Sequence, residues 1–406
     1  MTNSVGKTPR FYHETSARRS QRFEEVTLPQ ANPKHRLLLI GTGKIGREHL
    51  RVATLLGRAK IVAIYDKHTE SMDIAEAEYR QYSSEPLERY SDLAAACKAG
   101  DIDALLICTP NYTHYAVLQI AMKSGKPLFL EKPMATSLRD AAKIVELSKS
   151  YSGFIQLGMQ YRYKAQYTDA FHEVFERRSL GEIKTISVSE YRPPFLDKVE
   201  QWNKFNVYSG GTLVEKCCHY FDLINMMAGS EPESVYASGG QAINFLDFEY
   251  RGKKSDIDDH AYVIINYKNG IRANFTLNMF SQELSEEMIV SGSKGRLLAT
   301  EVSSFKPGTS SRANLRVEID GHEAWQSKDV TYPELIERSG HQGATFFEHE
   351  ALADQLENIS TDSATPIQGL WAMVVASAAQ ESMATNSLIL FDEFIERNNL
   401  QEVLQS

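Results

Sequence analysis

Residues 37–46 read LLLIGTGKIG, and this stretch decides the fold of the first half of the chain. The four apolar residues from Leu37 to Ile40 are typical of a parallel strand that is buried on both faces. The G-x-G-x-x-G pattern that follows opens a helical stretch, and Asp66 ends the next strand, 66 − 46 = 20 residues after Gly46. A strand before the glycines, a helix after them and an acid at this spacing together predict a dinucleotide-binding turn.

Each glycine of the motif has a physical task in such a turn. Gly41 permits the tight turn, Gly43 lets a pyrophosphate approach the backbone, and Gly46 allows helix and strand to pack closely. The helix that begins at Lys44 and Ile45 presents free N–H groups and the positive end of its dipole to the phosphates.

Asp66 bears on the choice of cofactor. A carboxylate at the end of the second strand accepts hydrogen bonds from both ribose hydroxyls and repels a 2′-phosphate, which favours NAD. Lys67 and His68 follow Asp66 and would reduce the repulsion of a 2′-phosphate by its carboxylate, so NADP remains an alternative.

Outward from this turn, short apolar runs alternate with helical patterns as far as residue 158. Such alternation predicts a doubly wound parallel sheet of the Rossmann type. Beyond about residue 180 the period changes to two, as in the stretch from Ile271 to Met279, and Asn269-Gly270 is a strong hairpin signal. The predicted fold class is α/β: a Rossmann-type parallel sheet, followed by an α+β domain with a large, mostly antiparallel open sheet. The expected domains are 36–158 for dinucleotide binding and 159–406 for substrate binding and oligomerisation.

Residues 1–35 differ from the rest of the chain. They hold six Lys or Arg against three Glu, a balance of 6 − 3 = +3. Arg18-Arg19 resembles a twin-arginine export signal, but no apolar segment follows it. We therefore predict an N-terminal arm.

Composition excludes several classes of protein. The 406 residues are 42% hydrophobic and carry a formal net charge of -9, which fits a folded protein without a general attraction to nucleic acid or anionic lipid. No apolar run reaches the roughly 18 residues needed to span a bilayer. Four cysteines are too few for a disulfide scaffold, so we expect reduced thiols and a cytoplasmic location.

Two further segments carry chemistry. Glu131-Lys132-Pro133 follows a parallel strand, at the sheet edge where open α/β sheets place their ligands. In 210–222, a helix would put Glu215, His219 and Asp222 on one face, and a flanking carboxylate can orient a histidine that acts as a base. Cys217 and Cys218 beside His219 diverge on a helix and suit one metal ion badly, so no metal site is expected.

These segments resemble the Gfo/Idh/MocA oxidoreductases, which include inositol dehydrogenases and glucose–fructose oxidoreductases. The resemblance rests on GTGKIG, on TPNYTH at 109–114, on EKP at 131–133 and on the GG segment at 210–222. It implies hydride transfer between a nicotinamide cofactor and a secondary hydroxyl of a sugar, polyol or cyclitol.

The resemblance also implies site residues. Lys132 would stand between the nicotinamide ribose and the substrate hydroxyl, His219 would be the acid/base, and Glu215, where many members carry Asp, would orient His219 or touch a substrate hydroxyl. The expected cofactor-binding residues are Gly41, Gly43, Lys44, Ile45, Gly46, Asp66, Thr109, Pro110, Asn111, His114, Glu131 and Lys132. The expected substrate-binding residues are Arg162, Tyr191, Trp202, Glu215 and His219.

Two alternatives to a dehydrogenase remain at this point. Relatives of the same fold cleave glycosidic bonds with bound NAD and no net redox change, and others are sensors without catalytic residues. The presence of both Lys132 and His219 argues against a sensor. We also expect a homodimer or homotetramer that associates through the C-terminal sheet.

Overall fold

The computed structural model describes residues 33–303, 311–321 and 325–405. Residues 1–32 of the predicted arm lie outside the described residues. Among the described residues, no helix is both long enough and apolar enough to cross a membrane.

The first sheet has six parallel strands in the order β3-β2-β1-β4-β5-β6. The strands are β1 His35–Ile40, β2 Ala59–Tyr65, β3 Glu88–Tyr90, β4 Ala104–Ile107, β5 Leu128–Glu131 and β6 Ile155–Gly158. The helices that accompany them are α1 Lys44–Leu56, α2 Thr69–Tyr79, α3 Leu93–Lys98, α4 His114–Ala121 and α5 Leu138–Lys149.

The strand order reverses between β1 and β4, and this reversal positions the site. The loops that leave the carboxyl ends of neighbouring strands diverge there and open a crevice. The loops after β1, β4 and β5 meet at this edge. Their strands are held rigidly because Leu37 to Ile40 in β1 and all four residues of β4 are fully buried.

The second sheet has nine strands in the order β16-β15-β14-β13-β7-β12-β11-β8-β17. The strands are β7 Ile183–Tyr191, β8 Pro232–Gly240, β11 His260–Tyr267, β12 Arg272–Asn278, β13 Leu284–Gly292, β14 Gly295–Ser303, β15 Arg312–Ile319, β16 Gln326–Asp329 and β17 Ile389–Leu390. A short separate ribbon pairs β9 Glu249–Tyr250 with β10 Lys253–Lys254. Only β7 and β12 pair in parallel within the described part of this sheet, so the predicted fold class is confirmed.

One face of the second sheet is covered and the other is open. In β11, Val263 is buried while Tyr262 and Ile264 are 62% and 52% exposed, as the period-two pattern predicts. The predicted hairpin joins β11 to β12, with Gly270 at φ +88°. Strands β15 and β16 had not been predicted.

Helices complete the covered face and also reach the first sheet. Their bounds are α6 Ala165–Phe171, α7 Asn206–Ser209, α8 Thr212–Glu215, α9 Cys218–Ala228, α10 Glu334–Glu337, α11 Ala344–Leu356, α12 Pro366–Thr385, α13 Phe391–Arg397 and α14 Gln401–Leu404. Helix α11 packs against α1, and its Leu352 joins the apolar cluster on one side of the first sheet. Late residues therefore support the dinucleotide-binding half, although they follow the predicted boundary at residue 158.

Candidate active site

A cavity opens at the edge of the first sheet, and both halves of the chain line it. From the first half come the glycine loop, Asp66, and the loops that follow β4 and β5. From the second half come residues 197–200, Trp202 and Glu215. The predicted glycine and EKP motifs thus meet in one space with the start of the predicted 210–222 segment.

The glycine loop has the geometry that its sequence predicted. Gly41 lies at φ +97°, and a Cβ there would stand 2.6 Å from the backbone carbon of Cys108. A Cβ on Gly46 would stand 2.0 Å from the carbonyl oxygen of Gly41. Gly43 is different, because a Cβ there would meet nothing within 4 Å, so the space in front of its backbone is open to a phosphate group.

Asp66 stands at the predicted place, on the cavity wall beside the glycine loop. Its Oδ2 accepts from the backbone N–H of Thr42 at 2.8 Å, and its Oδ1 accepts from the backbone N–H of His68 at 2.9 Å. Oδ2 also accepts from the hydroxyl of Thr42 at 3.1 Å, so these bonds fix the carboxylate and leave a spare acceptor lone pair on Oδ1. Lys44 and Ile45 line the same stretch of wall.

The loop after β4 brings Thr109, Pro110 and Asn111 to the cavity. Asn111 is buried, and its Nδ2 has no hydrogen-bond partner among the described residues. A buried amide donor without a protein partner can donate to a polar group of a bound ligand. Together with the open space before Gly43, it shows that the residues present fit a dinucleotide.

His114 holds two loops together. Its Nδ1 faces the carbonyl oxygen of Pro133 and its Nε2 that of Thr109, both at 2.8 Å. Burial lowers the pKa of His114, although the two carbonyls favour the charged ring. Both nitrogens are engaged, so His114 supports the site rather than offering a hydrogen bond to a cofactor.

Glu131 likewise acts through its neighbours. Its Oε1 accepts from His49 Nε2 at 2.9 Å, and its Oε2 accepts from the backbone N–H of Lys132 at 3.0 Å. His49 Nδ1 lies 2.7 Å from Nε2 of His349, which comes from α11. This buried chain fixes the backbone at Lys132.

A third acid lies close to this chain. Oxygen and nitrogen atoms of His49, Glu131 and Glu348 come within 4.8 Å of one another. Burial, with Glu131 and Glu48 nearby, raises the pKa of Glu348 well above its ordinary value. The neighbouring carboxylates thus favour a protonated Glu348 beside the hydrogen-bonded His49–Glu131 pair.

Lys132 reaches from the first half of the chain to the second. Its Nζ donates to the backbone carbonyl oxygen of Glu215 at 3.0 Å. Burial opposes its charge, but the nearby carboxylates of Glu215 and Glu131 raise the pKa of Lys132 above its ordinary value. Lys132 therefore stays a cation at the cavity wall.

Lys198 is a site residue that the sequence analysis missed. Its Nζ donates to Oε1 of Glu215 at 2.9 Å and lies 4.3 Å from the ring centroid of Trp202. Burial and the charges of Lys132 and Arg192 lower the pKa of Lys198, while Glu215 opposes that shift. Despite burial, Lys198 and Lys132 lower the pKa of Glu215 to about 2. Lys198 lies in an irregular loop, where no periodicity or motif singles it out.

The segment 210–222 is not one helix, which corrects the expectation. Helix α8 ends at Glu215, and α9 begins at Cys218. Lys216 lies between them, and its Nζ turns inward to the hydroxyl of Tyr161 at 2.5 Å and to Glu190 at 3.1 Å. Glu215 and His219 therefore do not share one continuous helix face.

The expected carboxylate partners of His219 have other partners. Glu215 pairs with Lys198, and both oxygens of Asp222 accept from Arg162, at 2.7 and 2.6 Å. Arg162 is buried and also donates to Gln368, so it is held in the interior and is not available to bind a substrate. The predicted substrate-binding role of Arg162 is corrected on this ground.

His219 itself is buried and is not among the residues that line the cavity. It is 2% exposed, its Nδ1 has no hydrogen-bond partner among the described residues, and its ring stacks on Tyr161 with centroids 4.1 Å apart. Burial, with the charges of Lys132 and Lys216, lowers the pKa of His219 well below its ordinary value. A neutral ring with an unused nitrogen can accept a proton.

Of the two remaining predicted substrate-binding residues, one lines the cavity and the other does not. Trp202 lines the cavity and is nearly buried between Lys198 and Tyr112. Tyr191 is 41% exposed and stands on the sheet face opposite its buried neighbour Glu190, away from the cavity. The prediction for Tyr191 is corrected, because alternation along β7 points its side chain to the open face.

Fold and site together define a dinucleotide-dependent oxidoreductase with a cation at the reaction edge of its Rossmann sheet. Comparison with known families agrees. Residues 35–159 match the oxidoreductase family domain described as an NAD-binding Rossmann fold, and residues 173–389 match that family's C-terminal alpha/beta domain. The chain belongs to the Gfo/Idh/MocA oxidoreductase family, which confirms the predicted family, the NAD-binding domain and the enzyme class.

Individual relatives are distant. The chain is 26% identical over 274 residues to a myo-inositol 2-dehydrogenase of Thermotoga maritima, covering 66% of this chain and 75% of that one. It is 27% identical over 355 residues to the uncharacterized oxidoreductase YrbE of Bacillus subtilis, covering 85% and 93%. The fold is similar to that of a levoglucosan dehydrogenase in complex with NADH and levoglucosan, with a TM-score of 0.70, 17% identity and coverage of 88% and 98%.

Proposed function

We propose that the chain is an NAD-dependent dehydrogenase that oxidises a secondary hydroxyl of a sugar, polyol or cyclitol. The observation that carries this proposal is the position of Lys132, a cation that lines the same cavity as the glycine loop. The relatives named as an inositol dehydrogenase and a levoglucosan dehydrogenase support the substrate class.

The residues of the chain divide the reaction between them. Bound NAD would supply the hydride acceptor. Lys132 donates to the substrate oxygen and stabilises the alkoxide that develops as the hydride leaves carbon. His219, neutral and with an unused ring nitrogen, accepts the hydroxyl proton. For this transfer, the reacting hydroxyl of the substrate must reach the inner end of the cavity.

The choice of NAD over NADP rests on Asp66. Its carboxylate retains a spare acceptor lone pair on Oδ1 at the cavity, where ribose hydroxyls are donors and a 2′-phosphate would be repelled. A ratio of kcat/KM values for the two cofactors tests this choice, and a preference for NADP would contradict it.

A screen of sugars and cyclitols for net formation of NADH, followed by its absorbance, tests the proposed function. We expect at least one neutral polyol to be oxidised. Product formation without net NADH would instead indicate the redox-neutral cleavage of glycosides.

We also propose a homodimer or homotetramer that associates through the open face of the second sheet. Tyr236, Tyr262 and Ile264 are exposed on neighbouring strands there, and such apolar patches mark association surfaces. Light scattering tests the assembly, and an Ile264→Glu variant should shift it toward the monomer. The four cysteines are free thiols, which supports the proposed cytoplasmic location.

A further inference from the structure

We propose that Lys198 and Glu215 together bind two adjacent hydroxyl groups of a neutral substrate, which makes Lys198 a specificity-determining residue. This inference rests on the proposed function and narrows its substrate class to neutral vicinal diols. It adds a residue from an irregular loop to the motifs that the family resemblance covers.

The two side chains form one unit on the cavity wall. Lys198 Nζ donates to Oε1 of Glu215 at 2.9 Å, and both residues line the cavity. The side chain of Lys198 is 30% exposed and that of Glu215 is 5% exposed, so the ion pair is only partly screened by solvent. Trp202, whose ring centroid is 4.3 Å from Nζ, holds the ammonium group from another side.

Each partner keeps unused hydrogen-bonding capacity. The ammonium group has three N–H donors, of which one meets Oε1 and one faces the indole ring. Within the described part of the chain, Oε2 of Glu215 accepts no hydrogen bond. A spare donor and a spare acceptor thus stand side by side in one ion pair, where they can engage two neighbouring hydroxyl groups.

Lys198 and Glu215 lie where they can bind the hydroxyl groups next to the reacting hydroxyl of the substrate. Lys132 Nζ donates to the backbone carbonyl oxygen of the same Glu215 whose carboxylate pairs with Lys198. A substrate whose reacting hydroxyl meets Lys132 therefore presents its neighbouring hydroxyls to Lys198 and Glu215.

The charges around the pair disfavour an acidic substrate. Lys198 and Glu215 cancel each other, and Asp197 and Glu200 in the same part of the cavity are paired with Lys204 and Arg251. A substrate carboxylate would therefore have to compete with these carboxylates for their cations, whereas a neutral diol needs no change of charge.

The test compares substrates that differ by one group. The NAD-loaded protein is given myo-inositol against a monodeoxyinositol, D-glucose against 2-deoxyglucose, and D-glucose against glucuronate. Both kcat/KM and the binding constant from isothermal titration are measured for the wild type, Lys198→Met, Glu215→Gln and the exposed control Lys253→Met.

We expect the wild type to prefer the diol over its deoxy analogue by about 100-fold or more, because a site built for a hydroxyl leaves charged groups unpaired without it. Lys198→Met should lower kcat/KM for the diol about 10- to 100-fold, mainly through KM, and change that for the deoxy analogue much less. Lys253→Met should keep the wild-type ratio.

Two results would overturn the inference. One is the same diol-to-deoxy ratio in the wild type and in Lys198→Met, and the other is a preference of the wild type for glucuronate. Titration separates this inference from the proposed function: diol-selective binding that Lys198→Met abolishes, without oxidation, would support the site and contradict the dehydrogenase.

Discussion

The two sides of the cavity are built in different ways. On the first side, the glycine loop follows β1 and Lys132 follows β5, two strands of one parallel sheet, and backbone geometry positions both segments. On the second side, Lys198 lies in an irregular loop and is positioned by its side-chain contacts, an ion pair with Glu215 from α8 and the nearby ring of Trp202. The difference teaches that local motifs mark the cofactor side, whereas the proposed substrate side is built by side-chain contacts that no motif marks.

The largest expected effect concerns the cation that joins the two sides. Lys132→Ala should lower kcat/KM for the true substrate by about 10³- to 10⁴-fold, because the developing alkoxide loses its charged donor. Steady-state kinetics measure the loss, and thermal unfolding checks that the variant is folded. Lys143→Ala, on the exposed side of α5, is the matched control. Full turnover by Lys132→Ala would contradict the proposed chemistry.

The next effect in size is a loss of stability, and it tests whether Arg162 has a structural role in the interior. Arg162→Met leaves the carboxylate of Asp222 buried and unpaired, so the free energy of unfolding should fall by about 3–5 kcal/mol. Urea unfolding measures this change. Arg58→Met, whose ion pairs are more exposed, should show a smaller loss. An unchanged stability with a raised KM for substrate would restore the predicted substrate-binding role of Arg162.

The features that the sequence predicts lie on the cofactor side of the cavity, whereas those that it does not predict depend on contacts in the folded chain. The strand from Leu37, the G-x-G-x-x-G turn and Asp66 have local signatures, since each is specified by neighbours in the chain. The break at Lys216 has no such signature, because lysine and cysteine are both compatible with a helix. The contacts of Lys216 with Tyr161 and Glu190 form only in the folded chain and have no local signature either.

Partner choice is the second feature that spacing could not predict. Asp222 stands three residues after His219, a spacing that suggested an orienting pair within one helix. In the fold, Arg162 from the segment after β6 takes both oxygens of Asp222. A bidentate pair with a guanidinium is stronger than a single bond to a neutral ring, and only the tertiary structure brings that guanidinium near.

Two glycines of the G-x-G-x-x-G turn test separately whether the backbone of this turn maintains the fold and whether it binds NAD. Gly46→Ala should lower the free energy of unfolding by about 1–3 kcal/mol, because the new Cβ meets the backbone of Gly41. Gly43→Ala meets no atom within 4 Å, so stability should hold while NAD binding weakens by about tenfold or more. Unfolding and titration with NAD distinguish the two outcomes, and equal effects on stability would contradict these roles.

The smallest expected effect lies on the second side and concerns pH. Burial, with neighbouring cations, lowers the pKa of His219 well below its ordinary value of 6.5, so the folded protein holds the ring neutral. As the pH falls below 6.5, the unfolded chain binds a proton that the folded chain refuses, and stability is lost. His114 and His349, whose pKa values burial also lowers, act in the same direction.

His219→Asn removes one of these three contributions. The loss of unfolding free energy between pH 7 and pH 5 should therefore be smaller in the variant than in the wild type, by about 1–2 kcal/mol. Glu215 does not interfere in this window, because its pKa of about 2 in the fold and 4.5 otherwise keep it ionised in both states above pH 5. His68→Asn, exposed at the cavity rim, is the control and should follow the wild type. An equal loss in His219→Asn and the wild type would mean that the ring takes up its proton in the fold as it does in the unfolded chain, which would contradict a ring that burial holds neutral.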